Sequence, residues 1–285
     1  MLSRSGRQAE NGDSEELAGF PTWDPAMVEK VNAWIRPLRD RYFRSEITGL
    51  EHVPDEPSML VGNHDGGYVF PDAICMGSFY YDAFGTAGRR LYAMMHDVPF
   101  RIAPTLTEWL QRCGVLPASR RNANRIIEAG HHVLIYPGGS YEAFRTFKDR
   151  RVFSLGHRTG FVRQALQLRV PITPVVSVGA HETLFVLARG HELAKRVGLS
   201  RLRVDVLPLW LGLPFGIGWG PLPNLPLPSK IKLEVLEPIR LWKELGEAAD
   251  HEDPQLLRAG LELVRSRMQA VSDRMYAERK YPLLG

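Results

Sequence analysis

The segment between residues 114 and 136 constrains the fold of this chain more than any other part of its sequence. A short apolar run follows Gly114, and Ser119 or Asn122 can then cap a helix that a glycine ends. A second apolar run, residues 131–136, comes directly after this helix. The order strand, helix, strand favours parallel pairing of the two strands. We therefore expect an α/β fold with a mixed, mostly parallel sheet flanked by helices.

Further short apolar runs extend this pattern along the chain. Residues 58–61, 91–95 and 170–178 suit buried strands, whereas residues 231–236 alternate apolar and charged side chains and suit an outer strand with one solvated face. From these elements we predict a disordered tail over residues 1–22, an amphipathic helix over 23–46, a main domain over 47–245 and a C-terminal helical segment over 246–285.

The predicted N-terminal helix carries apolar residues at helical spacing together with several basic residues. Asp24 followed by Pro25 is typical of a helix start. Two interpretations of this helix remain open. It can lie on a membrane surface with Trp34 in the interface, or it can pack on the core as an ordinary amphipathic helix.

A second candidate for membrane contact is the apolar, Pro/Gly-rich segment 206–229, because no charged residue lies between Asp205 and Lys230. Its length matches the ~20 apolar residues that a bilayer-spanning helix needs. Six prolines between residues 207 and 228 argue against a straight helix, since proline removes backbone donors. We expect an apolar loop that touches a membrane or lines a lipid tunnel, with a buried connector as the alternative.

Composition narrows the classes of partner. Lys and Arg total 36 against 32 Asp and Glu, and the resulting charge of +4 suits an anionic lipid surface but is too small to indicate nucleic acid. The two cysteines, Cys75 and Cys113, cannot build a disulfide framework or a metal cluster. The first residues lack the apolar core of a signal peptide. We therefore expect no metal, no nucleic acid and a reduced compartment.

The most informative polar residues follow the strand predicted at residues 58–61. His64 lies at the strand end, and Asp72 lies just ahead of an apolar helical turn. A neutral imidazole can take a proton from a hydroxyl, and a carboxylate can orient the ring and stabilise its charged form. We predict His64 and Asp72 as a catalytic pair, with Asp65 as the alternative partner. The structural alternative is a loop histidine that bonds to backbone.

Two more loops at strand ends carry groups that suit the same chemistry. In an open α/β sheet, ligands bind at the carboxyl ends of the strands. One such pocket would combine a base, cations that bind anions, and glycine amides for a developing oxyanion, as acyl transfer to a hydroxyl requires. The candidate residues in these two loops are Arg120, Arg121, Gly138, Gly139, Ser140 and Glu142.

Four blocks in this order resemble the motifs of the glycerolipid and lysophospholipid acyltransferase superfamily, of the bacterial lysophosphatidate acyltransferase type. Residues 63–72 resemble the His/Asp motif of that family, and residues 114–120 resemble its glycine followed by an arginine. Residues 136–142 are similar to Phe-Pro-Glu-Gly-Thr-Arg, and residues 170–175 to Val-Pro-Ile-Val-Pro-Val. The resemblance extends over residues 47–241.

The resemblance implies direct acyl transfer, with acyl-CoA or an acyl carrier protein thioester as co-substrate and no bound cofactor. His64 would take the proton of the acceptor hydroxyl and Asp72 would hold its tautomer. Arg120 would bind a phosphate or another polar group of the lipid acceptor. The glycines at 138 and 139 would supply backbone donors, and Glu142 would order their loop. It also implies a peripheral or monotopic protein on the cytoplasmic face of a membrane.

Two departures from the family pattern bear on the acceptor. The family places four residues between its His and Asp, whereas seven separate His64 from Asp72. Gly138 stands where the third motif has Glu, and an acid follows only at Glu142. This block is closer to the diacylglycerol acyltransferase and phytyl ester synthase branch. The acceptor can therefore be a phosphorylated glycerolipid or a neutral alcohol such as diacylglycerol.

Other classes of function remain as alternatives. A serine hydrolase would need an activated nucleophile, and Ser140 lacks the Gly-x-Ser-x-Gly context. A metal hydrolase would have to recruit His64, Asp65, His157 and His181, which lack a compact ligand spacing. A non-catalytic lipid-binding protein would need the apolar segment but not His64, and a thioesterase would consume acyl-CoA without an acceptor.

Overall fold

The computed structural model describes residues 23–198, 206–214, 216–220, 222, 224–247 and 249–281; the predicted disordered tail, residues 1–22, lies outside them. The helices are α1 (Pro25–Pro37), α2 (Pro71–Phe84), α3 (Val98–Ile102), α4 (Pro104–Arg112), α5 (Arg120–Glu128), α6 (Gly139–Ala143), α7 (Gly160–Leu168), α8 (His191–Arg196), α9 (Leu241–Glu244) and α10 (Pro254–Glu278). The strands are β1 (Glu46–Thr48), β2 (Met59–Gly62), β3 (Leu91–Met95), β4 (Val115–Pro117), β5 (His132–Ile135), β6 (Ile172–Val178), β7 (Phe185–Ala188), β8 (Leu209–Gly212), β9 (Gly216–Trp219) and β10 (Lys232–Val235).

Seven of these strands form the main sheet, in the order β1-β10-β6-β2-β5-β3-β4. Five neighbouring strands, from β6 to β4, run parallel to one another, whereas β10 pairs with β6 antiparallel. The predicted mixed, mostly parallel sheet is confirmed. The strand–helix–strand unit over residues 114–136 is present as β4, α5 and β5, and Ser119 caps α5 by accepting the Asn122 amide proton over 3.1 Å.

The predicted outer position of the strand over residues 231–236 is wrong, because β1 lies outside β10 and pairs with it. The alternation that suggested a solvated face has another cause. Glu234 on β10 pairs with Arg274 of α10 at 2.6 Å, and Lys232 lies 3.8 Å from Glu46 on β1. The charged side chains of this inner strand thus form ion pairs with residues of the neighbouring elements.

Both faces of the main sheet are covered by apolar side chains. One core cluster joins strand residues such as Met59 and Ile172 to α5, α7 and α10, and the other joins Leu60 and Val175 to α2. All four residues of β2 and all seven of β6 are buried. This two-sided burial explains the continuous apolar runs. Because β2 lies between β6 and β5, its carboxyl end is in the middle of the sheet.

The N-terminal helix α1 is present and reaches α2 mainly through polar contacts. Asn32 and Arg36 both donate to Asp82 near the end of α2, over 2.7 and 2.8 Å. Val28 is buried, whereas Trp34 is 64% exposed. The helix therefore packs on the domain, with its indole directed to solvent.

The apolar segment differs from the predicted loop. Its strands β8 and β9 form a hairpin that joins β7 in a separate three-stranded antiparallel sheet. Pro208 and Pro214 lie just before β8 and in the turn after it, where a missing backbone donor costs little. Within the described residues, no helix combines the length and apolar character needed to cross a bilayer.

Candidate active site

The loop with His64 and the loop with the glycine turn meet because β2 and β5 are adjacent parallel strands. Gly62 ends β2, and a Cβ there would lie 2.4 Å from the ring of Tyr136, which follows β5. Only glycine lets this ring cross the strand end. The sheet thus brings the first and third predicted blocks together at one edge.

His64 and Asp72 face each other across the loop that joins β2 to α2. Nδ1 of His64 lies 3.6 Å from Oδ2 of Asp72, slightly beyond hydrogen-bond distance. The Asp72 side chain is fully buried in the first turn of α2, and the His64 side chain is 12% exposed. A base with limited access to solvent and an adjacent buried carboxylate is the arrangement that proton abstraction needs.

Two aromatic rings flank the imidazole of His64. The Phe70 ring is stacked on it, with centroids 4.5 Å apart and planes 21° apart, and the Tyr136 ring lies 4.7 Å away at 30°. Phe70 has a left-handed backbone, with φ of 53°. Burial raises the pKa of the Tyr136 phenol well above its usual range. Tyr136 is therefore a neutral packing partner at physiological pH.

Asp65, the alternative partner of His64, directs its carboxylate elsewhere. It lies 2.6 Å from Nη2 of Arg145, and both side chains are 1% exposed. Asn63 also donates to Asp65, over 2.5 Å. Burial raises the pKa of Asp65, while Arg145 opposes this rise. The geometry therefore favours Asp72 over Asp65 as the partner of the imidazole.

Glu142 connects the glycine turn to the histidine loop. Its buried carboxylate accepts the backbone N–H of His64 over 3.1 Å and that of Ser154 over 3.2 Å, and it pairs with Arg145 at 2.9 Å. A Cβ on Gly138 would lie 2.1 Å from this carboxylate. The turn thus needs glycine at 138, because a side chain there would displace the Glu142 carboxylate that accepts the His64 backbone N–H.

The other residues of the turn are placed less directly for an oxyanion. The Gly139 amide donates to the Tyr136 carbonyl over 3.1 Å, so this N–H is already used in the turn. Ser140 lies in the short helix α6 and is half-buried. An oxyanion role for this turn therefore rests on Gly138 more than on Gly139.

Arg120 and Arg121 are the first two residues of α5, and both are exposed. Their strand, β4, lies three positions from β2 in the sheet. At a strand spacing of ~4.8 Å the two strands are about 14 Å apart. The Arg120 side chain lies beside Gly160, with its Nε 3.8 Å from the position of a Cβ there. Arg158 is closer to the glycine turn, since its Nη1 would lie 3.0 Å from a Cβ on Gly139.

Sequence reasoning missed Arg145 and Arg158. Arg145 is 1% exposed and pairs with both Asp65 and Glu142. Asp65, Asp72 and Glu142 lie within or beside one buried loop, and buried carboxylates need a cation as partner. This excess of acidic residues was the signal available in the sequence. The metal alternative gains no support, because the described residues contain no group of three side chains suited to a metal ion.

Comparison with known proteins supports an acyltransferase. The family model described as Acyltransferase matches residues 44–178, which contain the His64 loop, the start of α5 and the glycine turn. The matched region is just under half of the chain, and together with the lipid-enzyme relatives it supports the glycerolipid acyltransferase superfamily. The acyltransferase is also similar to a solved structure, the 1-acyl-sn-glycerophosphate acyltransferase PlsC of Thermotoga maritima, with a TM-score of 0.52 and 14% identity over 99% of this chain and 86% of that one. At this identity the likeness supports the fold.

Curated relatives of this acyltransferase include lipid enzymes. An uncharacterized protein of Mycobacterium tuberculosis is 29% identical over 98% of this chain and 74% of its own length. Diacylglycerol O-acyltransferase 2 of Xenopus laevis is 28% identical over 53% of this chain and 45% of its own length. Human 2-acylglycerol O-acyltransferase 3 is 26% identical over 57% and 51%, respectively. Together these similarities establish an acyltransferase of lipid metabolism.

Proposed function

We propose that this acyltransferase moves an acyl group from acyl-CoA, or from an acyl carrier protein thioester, to the hydroxyl of a glycerolipid or related lipid alcohol. The observation that carries the proposal is the 3.6 Å approach of His64 Nδ1 to the buried Asp72 carboxylate, at the strand edge where the glycine turn also lies. Asp72 fixes the ring so that its other nitrogen, Nε2, can take a proton.

The proposed reaction is one direct displacement. Nε2 of His64 accepts the hydroxyl proton as the acceptor oxygen bonds to the thioester carbonyl carbon. The Gly138 amide is the proposed donor to the oxyanion that forms. As this intermediate collapses, the C–S bond breaks and the leaving thiolate takes the proton from the imidazolium. The products are the lipid ester and the free thiol, and no metal or bound cofactor enters any step.

For the acceptor, we propose a neutral lipid alcohol such as diacylglycerol ahead of a phosphorylated one. Two observations support this order. The predicted phosphate ligands Arg120 and Arg121 follow the edge strand β4, three positions from β2, and two relatives are named for acylation of diacylglycerol and 2-acylglycerol. We further propose that the protein works as a peripheral or monotopic protein on the cytoplasmic face of a membrane, where such acceptors reside.

The test is a product profile from purified protein. The protein receives acyl-CoA with a panel of acceptors: monoacylglycerol, diacylglycerol, glycerol phosphate and a lysophospholipid. We expect a new ester from the neutral lipids, and loss of that product in the His64→Ala variant. Transfer at the wild-type rate by His64→Ala would refute the mechanism. Acyl-CoA consumption at the same rate with no acceptor would identify a thioesterase instead.

A further inference from the structure

The three-stranded sheet of β7, β8 and β9 exposes large apolar side chains on its outer face. Leu209 pairs with Trp219 across the hairpin, and Leu211 pairs with Ile217. Their exposed fractions are 36%, 52%, 44% and 69%. Leu187 on β7 adds a further side chain that is 53% exposed. Contiguous exposed apolar surface of this kind marks an interaction site. We call these five residues the apolar face.

The inner face of the same sheet is packed in a different way. Trp210 is fully buried and lies opposite Gly218 in the register. A Cβ on Gly218 would lie 2.2 Å from the indole, so the ring covers this glycine directly. Because side chains alternate along a strand, the burial of Trp210 directs its neighbours Leu209 and Leu211 outward.

This inner face supports the loop that carries His64. The Tyr68 ring in the loop packs against Phe144, with centroids 4.5 Å apart and planes tilted by 59°, and Phe144 belongs to the same buried cluster as Leu184 and Trp210. A Cβ on Gly67 would lie 2.5 Å from the Leu184 side chain. The loop between His64 and Asp72 therefore rests on the back of the sheet whose front is the apolar face.

Basic side chains lie around this uncharged sheet. The helix α8 follows β7 and exposes Lys195 and Arg196 next to the exposed Leu193 and Val197, with Glu192 as its acidic residue. Arg44 donates to the carbonyl of Pro228, near the end of the apolar segment 206–229. An apolar centre with a basic rim complements a surface of acyl chains and anionic headgroups.

We propose that the apolar face is the membrane-docking surface of this protein and that it inserts into one leaflet as a sheet. Leu211, Ile217 and Trp219 then lie among acyl chains, while the basic rim meets anionic headgroups. Docking in this orientation places the His64 loop directly behind the interface that holds the lipid acceptor. This inference rests on the proposed function and adds the surface and orientation from which the acceptor is reached.

The test uses the full chain and sedimentation with vesicles of equimolar phosphatidylcholine and phosphatidylglycerol, without substrates. The double variant Ile217→Ser, Trp219→Ser should bind about tenfold more weakly or worse, since burial of each side chain contributes substantially to partitioning. Trp34→Ser is the matched control, because this indole is 64% exposed on α1. It should bind within about twofold of wild type, because Trp34 lies outside the proposed docking surface.

A second measurement guards against misfolding of the double variant. In the wild type, brominated acyl chains should quench tryptophan fluorescence, and Trp219→Phe should remove most of that quenching. Equal vesicle binding by the double variant, an equal loss in Trp34→Ser, or a double variant that loses only self-association would overturn the inference. Transfer by wild type to a water-soluble, short-chain diacylglycerol tests the proposed function separately, since it needs no membrane.

Discussion

The backbone amide of Asp65 donates a hydrogen bond to Oδ2 of Asp72 over 3.1 Å. The same oxygen lies nearest to the imidazole of His64, so the loop backbone fixes the carboxylate that faces the base. The side chain of Asp65 meanwhile balances the charge of Arg145. Two acids seven residues apart are therefore expected to serve different tasks, the one chemical and the other structural.

Substitution of these two acids should separate the tasks. Asp72→Asn should lower kcat by about 10²–10⁴-fold, since its amide stabilises the imidazolium poorly. Asp65→Asn should lower the free energy of unfolding by about 1–3 kcal/mol, because it removes one of the two carboxylates that pair with the buried Arg145. Kinetics at saturating acyl-CoA and urea unfolding measure the two effects. A larger loss of kcat in Asp65→Asn than in Asp72→Asn would assign the catalytic partner to Asp65.

Gly138 in the glycine turn and Gly77 in the helix α2 offer a pair of substitutions with opposite expected results. Gly138→Ala should displace Glu142 and reduce turnover at least tenfold, because its Cβ would lie 2.1 Å from that carboxylate. Gly77→Ala is the control, since a Cβ there would have no atom within 4 Å. In the helix α2 this change should raise stability by about 0.5–1 kcal/mol. Normal turnover in Gly138→Ala would show that the hydrogen bond between Glu142 and the His64 backbone is dispensable.

Arg120 is expected to matter only for acceptors that carry a phosphate. Arg120→Ala should reduce kcat/KM for a phosphorylated acceptor by roughly ten- to hundredfold, the effect of losing one charged hydrogen bond. The ratio of kcat/KM for the phosphorylated acceptor to kcat/KM for a neutral acceptor should therefore fall. Arg258→Ala, an exposed arginine on α10, serves as the control. An unchanged ratio in Arg120→Ala would remove Arg120 from the acceptor site.

Acid should destabilise the protein through a buried histidine. Burial, reinforced by Arg145, lowers the pKa of His181 from 6.5 to about 3. Between these two values the unfolded chain binds a proton that the folded chain does not, so the free energy of unfolding falls as pH falls. The slope approaches about 1.4 kcal/mol per pH unit for this residue. Burial gives His132 the same effect, with its pKa lowered to about 4.

The check is urea unfolding at a series of pH values in wild type and His181→Gln. Below pH 6.5, the free energy of unfolding should depend less steeply on pH in the variant, by the contribution of one proton. The contribution of His132 should remain. Because the slope is compared, an overall loss of stability in the variant does not obscure the result. Equal slopes in the two proteins would show that His181 takes no part in the acid response.

The main sheet was predictable because strands buried on both faces are continuous apolar runs, and because the helix after β4 has a clear cap at Ser119. The β8–β9 hairpin was not, since its prolines and glycines obscure the alternation that Trp210 reveals in the structure. Arg145 also escaped prediction. The acids near His64 indicated that a buried cation was needed, but the sequence alone does not show which arginine lies beside Asp65 and Glu142.

The aromatic rings beside His64 restrict the direction from which a substrate can approach the imidazole. The Phe70 ring is stacked on the imidazole, and the tilted Tyr136 ring also lies against it, so these aromatic side chains restrict access to the ring. One edge faces Asp72. A ring nitrogen accepts a proton along its lone pair, which lies in the plane of the ring. In the proposed mechanism, the alcohol therefore approaches His64 in the plane of the ring. The longer loop, which supplies Phe70, fixes that line of approach before any lipid is bound.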